Sequence, residues 1–207
     1  MYARRMYVSR LPHRARPDGH HGGRPVAVAL ALLDALAFGD DVGRSDHAVA
    51  VADLSWPVGV ELGLDEGALG ALEAGALLHD LGKAEVPKAI LRKAGPLSSE
   101  ESKIVEAHPR RGARMVEPWE CLRGAAARTI EHHHERYDGG GYPQGLASEQ
   151  IPLAARIVCA ADAYDAMVRG RPYEKACPPT EAVGRPFAEA GGQFDARVVA
   201  AVARVVI

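Results

Sequence analysis

The run Ala76-Leu77-Leu78-His79-Asp80-Leu81-Gly82-Lys83 decides how the rest of the chain is read. Three apolar residues lead without a break into a histidine and an aspartate, so a core helix delivers both side chains to its end. Imidazole and carboxylate groups lose hydration when buried, and clusters of them usually hold a metal or serve chemistry. A second cluster, His133-His134-Glu135-Arg136-Tyr137-Asp138-Gly139-Gly140-Gly141-Tyr142-Pro143, sets adjacent histidines before a glycine-rich loop.

The chain has 207 residues, enough for one sizeable domain and short for two. Aromatic residues make up only 5%, so the core is built from Ala, Leu and Val, which suits closely packed helices better than a sheet sandwich. The net charge of −2 excludes a global basic field of the kind that holds a nucleic-acid polymer. Cys121, Cys159 and Cys177 are odd in number and form no CxxC, which points to a reducing cytoplasm without a disulfide framework. At the start, Arg4, Arg5, Arg10, Arg14 and Arg16 precede an apolar run over 26–38 in the manner of a signal peptide. Asp34 interrupts that run, the basic part is long, and the run is too short to span a bilayer. An amphipathic first helix is therefore expected, with no membrane segment. Residues 1–24, carrying Pro12, Pro17 and Gly19-His20-His21-Gly22, read as a disordered basic tail ahead of a domain over 25–207.

No stretch alternates with period two for long, and the expected class is all-α, a single helical bundle. Helices are expected over 26–38, then from Ser45 or Asp46 with His47 in the first turn and a kink at Pro57. A third starts after Leu64, capped by Asp65, and runs to His79. A short helix over 87–91 precedes a capping box at Ser98 and Glu101, which opens a helix reaching His108. Others cover 109–116, 122–135 and 152–168. Thr180 caps a further helix that Gly184 and Pro186 shorten, and residues 195–206 close the chain with an apolar face. The glycines at 139, 140, 141 and 145 require an irregular loop.

Two divalent ions held about 3.5–4 Å apart need a carboxylate to bridge them, neutral imidazoles for most other positions, and a further carboxylate for charge balance. Asp80 is the natural bridge, with His79 beside it. His47, His108, His133, His134 and Asp162 are the other candidates, each at or near the end of an expected helix. Histidine and carboxylate without thiolate suits iron, manganese or zinc.

The ordered motifs resemble the HD-GYP domain, a branch of the HD phosphohydrolase superfamily, from about residue 26 to the end of the chain. They are His79-Asp80-Leu81-Gly82-Lys83, His108-Pro109 with Gly112-Ala113, the run 133–143, Ala161-Asp162-Ala163-Tyr164-Asp165-Ala166, Arg171-Pro172-Tyr173 and Gln193-Phe194-Asp195. The resemblance implies one ion on His47, His79, Asp80 and Asp162, and a second on Asp80, His108, His133 and His134. It implies that Lys83 contacts a substrate phosphate and Arg171 the guanine-bearing side. The implied reaction is hydrolysis of cyclic di-GMP to pGpG or onward to GMP, by in-line attack of a hydroxide bridging the two ions. Asp80 and Lys83 are the implied catalytic pair, and Asp165 is expected to orient a ligand from behind. The Gly-Tyr-Pro loop is expected to shape the pocket, and a diguanylate cyclase domain is the implied protein partner.

Three departures refine this. Gly43 stands where three-metal members carry a glutamate, so two ions are expected. Glu174 stands where a basic residue is usual, leaving Lys175 to take over its substrate contact. The interruptions at Pro57 and Gly184-Pro186 mark a less regular member. Glu174 also keeps two alternatives open: a hydrolase for another cyclic dinucleotide or phosphoester, and a signalling module that binds a nucleotide or protein with little turnover. His132 is expected to be only a helix neighbour, and Arg110, Arg111 and Arg114 a solvated helix face.

Overall fold

The third helix, α3 (Glu66–Leu78), is apolar on nearly every side, and all its residues from Leu72 to Leu78 are buried. A helix of that composition belongs in the centre of a domain. In the computed structural model, which describes residues 23–36, 42–169 and 192–207, it packs against helices on several sides. The neighbours are α1 (Gly23–Leu36), α2 (Val42–Glu61), α7 (Ala125–His132) and α8 (Leu153–Arg169). Between α3 and α7 there is no room for a side chain at Gly75, since a Cβ there would lie 2.7 Å from Thr129. As expected, Asp65 caps α3, its Oδ1 accepting from the Ala68 N–H at 2.8 Å.

After α3 the chain makes a 3₁₀ turn (Leu81–Glu85), then α4 (Lys88–Leu91), α5 (Ser99–Glu106) and α6 (His108–Val116). A second 3₁₀ turn (Ser148–Gln150) precedes α8, and α9 (Ala196–Val206) closes the chain. Among the described residues there is no strand, which bears out the all-α class, and no helix is long and apolar enough to cross a membrane. The capping box at Ser98 and Glu101 forms as expected. Asp195 caps α9 by accepting from the Arg197 N–H at 2.8 Å, and Arg156 of α8 donates to the same carboxylate at 2.5 Å.

Several boundaries differ from expectation. Gly23 and Arg24 already belong to α1, so the expected tail is shortened to residues that lie outside the description. Helix α2 begins at Val42, which places Asp46 inside the helix, not at its cap. Pro57 lies inside it, as expected, and the helix runs on to Glu61 with the neighbours Leu54 and Val58 buried in the core. His108 does not end α5. That helix stops at Glu106, and His108 with Pro109 opens α6, where a proline is tolerated because first-turn N–H groups have no helical partner. Helix α7 is shorter than expected, beginning after Gly124 (φ +92°) and ending at His132. Arg171, Glu174, Lys175, Cys177 and the helix expected from Thr180 lie outside the described residues, as does most of the turn expected over 39–43.

Candidate metal centre

Five pieces of the fold converge on one point. The end of α3 brings His79 and Asp80, and the 3₁₀ turn behind it brings Lys83. The start of α6 brings His108, the turn after α7 brings His133 and His134, α2 brings His47, and α8 brings Asp162 and Asp165. The α3 end and α6 meet backbone to backbone at Gly82, where a Cβ would lie 2.0 Å from the His108 carbonyl oxygen and 2.6 Å from the Gly112 nitrogen. This close approach explains why the motif carries glycine there.

The imidazoles are oriented by their own helices. Nδ1 of His79, His108 and His133 each lies 2.7 Å from the carbonyl oxygen three residues earlier, at Ala76, Val105 and Ile130. A carbonyl only accepts, so each Nδ1 carries the proton and each Nε2 presents a lone pair. Nε2 of His108 and Nε2 of His133 face each other at 3.4 Å. With both protons on Nδ1 that contact is no hydrogen bond: two nitrogen lone pairs face each other, an arrangement suited to binding a cation. The buried Nε2 of His79 and Oδ1 of Asp80 have no hydrogen-bond partner either, although Oδ1 lies 3.3 Å from His108 Nε2. Unsatisfied polar atoms in a buried site need an explanation, and a bound ion supplies one. The donors fall into two sets that share Asp80: Asp80, His108, His133 and His134, and His47, His79 and Asp80. The residues present therefore fit a divalent metal centre, by orphaned donors and by donor chemistry alike.

Charge within the cluster agrees. Burial pushes the Asp80 carboxyl up, but the facing His79, His108 and Lys83 outweigh it and hold the group well below the usual carboxylate range. Burial and the neighbouring His134 and His79 push His133 well down, and burial and His108 push His134 down to about 4. Both rings are thus neutral and ready to ligate near neutral pH. His47 differs: burial lowers it, but Asp162 and Asp165 more than compensate and raise it to about 9. Its Nδ1 lies 2.7 Å from Asp165 Oδ2 and its Nε2 3.1 Å from Asp162 Oδ1.

Six of the seven expected ligand positions fall in the two close donor groups, and the seventh, Asp162, does not. Asp162 meets His47 but stands outside the tight group of His47, His79 and Asp80. Lys83, expected on a substrate phosphate, here donates to Asp80 Oδ2 at 2.6 Å. Asp165 is buried and takes hydrogen bonds from His47 and from Arg169, whose Nη2 also donates to the Asp46 carbonyl at 2.8 Å. The histidine at 132 stays out of the cluster, its nitrogens 3.7 Å from Glu131 and Glu135. Of the arginines on α6, Arg110 reaches the Pro143 carbonyl at 3.2 Å and Arg111 the Glu85 carbonyl at 3.3 Å, so the face is not purely solvated.

Sequence reasoning passed over Glu135, Tyr142 and Arg169. Tyr142 stacks on His134 with ring centroids 4.8 Å apart. Glu135 carried a signal, as a carboxyl group directly beside a histidine pair, and so did Tyr142, as part of the Gly-Tyr-Pro loop expected to shape the pocket. Arg169 pairs with Asp165 across one helical turn, a spacing too common to stand out. The closing motif also has a place: the carbonyls of Gly192 and Gln193 accept from the N–H groups of Asp138 and Tyr137 at 2.9 Å, tying the chain's last segment to the loop after the histidines.

An all-α domain with a buried histidine and aspartate cluster fit for divalent ions is the class that fold and site define. A family model described as HD domain matches residues 32–198, and the chain belongs to that family. It is 39% identical over 171 residues to the cyclic di-GMP phosphodiesterase response regulator RpfG of Xanthomonas campestris pv. campestris, covering 79% of this chain and 44% of that protein. It is 41% identical over 160 residues to the cyclic di-GMP phosphodiesterase PA4108 of Pseudomonas aeruginosa, covering 77% and 38%. The chain thus spans less than half the length of these relatives. In fold it is similar to a crystal structure of a cyclic GMP-AMP-specific phosphodiesterase of Vibrio cholerae (V-cGAP3), with a TM-score of 0.66 at 21% identity, over 86% of this chain and 48% of that one.

Proposed function

We propose that this domain is a metal-dependent phosphodiesterase that hydrolyses cyclic di-GMP to pGpG, to GMP, or to both. One observation carries the reading: two sets of metal donors share a single carboxylate, Asp80, at the meeting point of five elements. The names of RpfG and PA4108 support the choice of substrate.

On this reading His47, His79, Asp80 and Asp162 hold one ion, and Asp80, His108, His133 and His134 the other. The ions are iron or manganese, with zinc as the third candidate. Bound there, they supply Lewis acidity, acidifying a water and taking up charge on the phosphoryl oxygens. The chain's own residues do the rest. The carbonyls of Ala76, Val105 and Ile130 hold three rings with Nε2 inward, so no reorientation is needed when substrate arrives. Lys83 swings its ammonium from Asp80 to a non-bridging phosphate oxygen, where negative charge grows. Arg171 and Lys175 receive the guanine-bearing side and the second phosphate. No residue is needed as a covalent nucleophile. The domain works in a reducing cytoplasm, and its Gly-Tyr-Pro loop meets a diguanylate cyclase domain.

Glu174 favours a second reading, in which another cyclic dinucleotide fits better than cyclic di-GMP, and the name of the V. cholerae structural relative gives 3′,3′-cyclic GMP-AMP as the first to try. Protein loaded in turn with iron, manganese and zinc is incubated with each dinucleotide, and products are separated by chromatography. The expected result is pGpG or GMP from cyclic di-GMP, abolished in Asp80→Ala. Faster turnover of the mixed dinucleotide selects the second reading. Inertness toward both with all three metals rejects the assignment.

A further inference from the structure

Of the five histidines in the two donor sets, His79, His108 and His133 have a backbone carbonyl on Nδ1 and His47 has the Asp165 carboxylate, but His134 has neither. Among the described residues no hydrogen bond reaches its ring, which is set only by ring contacts: His133 at 4.1 Å, His108 at 5.0 Å and Tyr142 at 4.8 Å, the last stacked at 30°. Something else must seat this ring, and the loop carrying Tyr142 is well held. The Tyr142 N–H donates to the His134 carbonyl at 3.2 Å. Gly141 leaves no space for a side chain, since a Cβ there would lie 2.3 Å from the Arg136 nitrogen and 2.5 Å from the His134 carbonyl oxygen. The loop's other side is anchored by Glu135, which is 2% exposed. One of its oxygens accepts from the Gln144 N–H at 2.7 Å and the other from the Leu146 N–H at 3.1 Å.

We propose that Glu135 is a positioning residue: by gripping the amides of Gln144 and Leu146 it presses the Tyr142 ring onto His134 and so orients the one metal-set histidine whose ring has neither a carbonyl nor a carboxylate partner among the described residues. The inference rests on the metal-centre reading for its consequence, not for the clamp itself. Glu135 suits the task because both carboxyl oxygens accept. A glutamine in its place turns an N–H toward one of the two loop amides, so one of the two hydrogen bonds is lost whichever way the amide is flipped.

The test compares the unsubstituted protein with Glu135→Gln, Tyr142→Ala and the double variant. In metal-free protein, NMR reads amide exchange at Gln144 and Leu146 and the ring shifts of His134, and calorimetric titration then reads manganese affinity. Glu135→Gln is expected to speed exchange at one of the two amides at least tenfold and to move the His134 ring signals. It is also expected to weaken binding of one of two manganese ions by about 10–100-fold, the usual effect of losing a group that orients a ligand. Tyr142→Ala is expected to weaken the same ion while leaving the two amides protected, and the double variant to be no weaker than the worse single one, because both act through one contact. Unchanged exchange in Glu135→Gln, or losses of affinity that add in the double variant, would overturn the proposal. Should Glu135→Gln fail to fold, unchanged His134 shifts in Tyr142→Ala overturn it alone. An unsubstituted protein that takes up no manganese, iron or zinc rejects the metal-centre reading instead, while exchange and ring shifts still decide whether the clamp exists.

Discussion

Replacing Gly82 by alanine is expected to damage the candidate metal centre without replacing any of its donor residues. A Cβ at this position would lie 2.0 Å from the His108 carbonyl oxygen, whereas ordinary contact begins at 3.4 Å, so the start of α6 must retreat by about 1.4 Å (3.4 − 2.0). The obstructing atoms are backbone, including the Gly112 nitrogen, so no side chain can swing aside. Overpacking of this kind costs about 1–3 kcal/mol, which for a domain of this size lowers the melting temperature by about 2–12 °C. The retreat carries His108 Nε2 away from Asp80 Oδ1 and His133 Nε2, now 3.3 and 3.4 Å distant. A displacement of about 1 Å costs on the order of 100-fold in rate where geometry is critical. Differential scanning calorimetry of metal-free protein, manganese titration and turnover of cyclic di-GMP read the three effects. A Gly82→Ala protein that melts lower yet binds manganese and turns over as before would refute the link between this backbone contact and the site.

Asp165→Asn keeps the volume of the buried side chain but allows the amide to face His47 with either end, so the imidazole tautomer is no longer fixed. Metal affinity or turnover is expected to fall by about 10–100-fold, with the helical circular dichroism signal unchanged, and full affinity in the variant would contradict the orienting role. Removing metal exposes a pH dependence whose sign follows from His47. Its pKa rises from 6.5 to about 9 in the folded protein, so the imidazolium's stabilisation is complete below about pH 6.5 and is lost as pH rises through about 9. The melting temperature of chelator-treated protein should therefore fall over that window, and His47→Gln should flatten the fall. An equal slope in both proteins would place the titration elsewhere.

Much of the site was readable because its residues are chemically conspicuous at short range. His79-Asp80 at the end of an apolar run and His133-His134 before a glycine loop declare themselves locally, and the structure brings both pairs to the same point. The capping side chains Asp65 and Ser98 were equally legible, since a cap acts within three residues. Boundaries were less legible: His108 changed helices because Pro109 is better placed in a first turn than beyond a last one.

From the order of residues alone came the helical class, the candidate donors and the expectation that Asp80 is shared, because these depend on side-chain chemistry and on periodicity within single segments. Only the tertiary structure could decide that His47 rests on Asp162 and Asp165, that His108 Nε2 faces His133 Nε2, and that Gly82 meets the start of α6 backbone to backbone. Those facts depend on distances between segments far apart in the chain, and such distances come into being only when the helices pack.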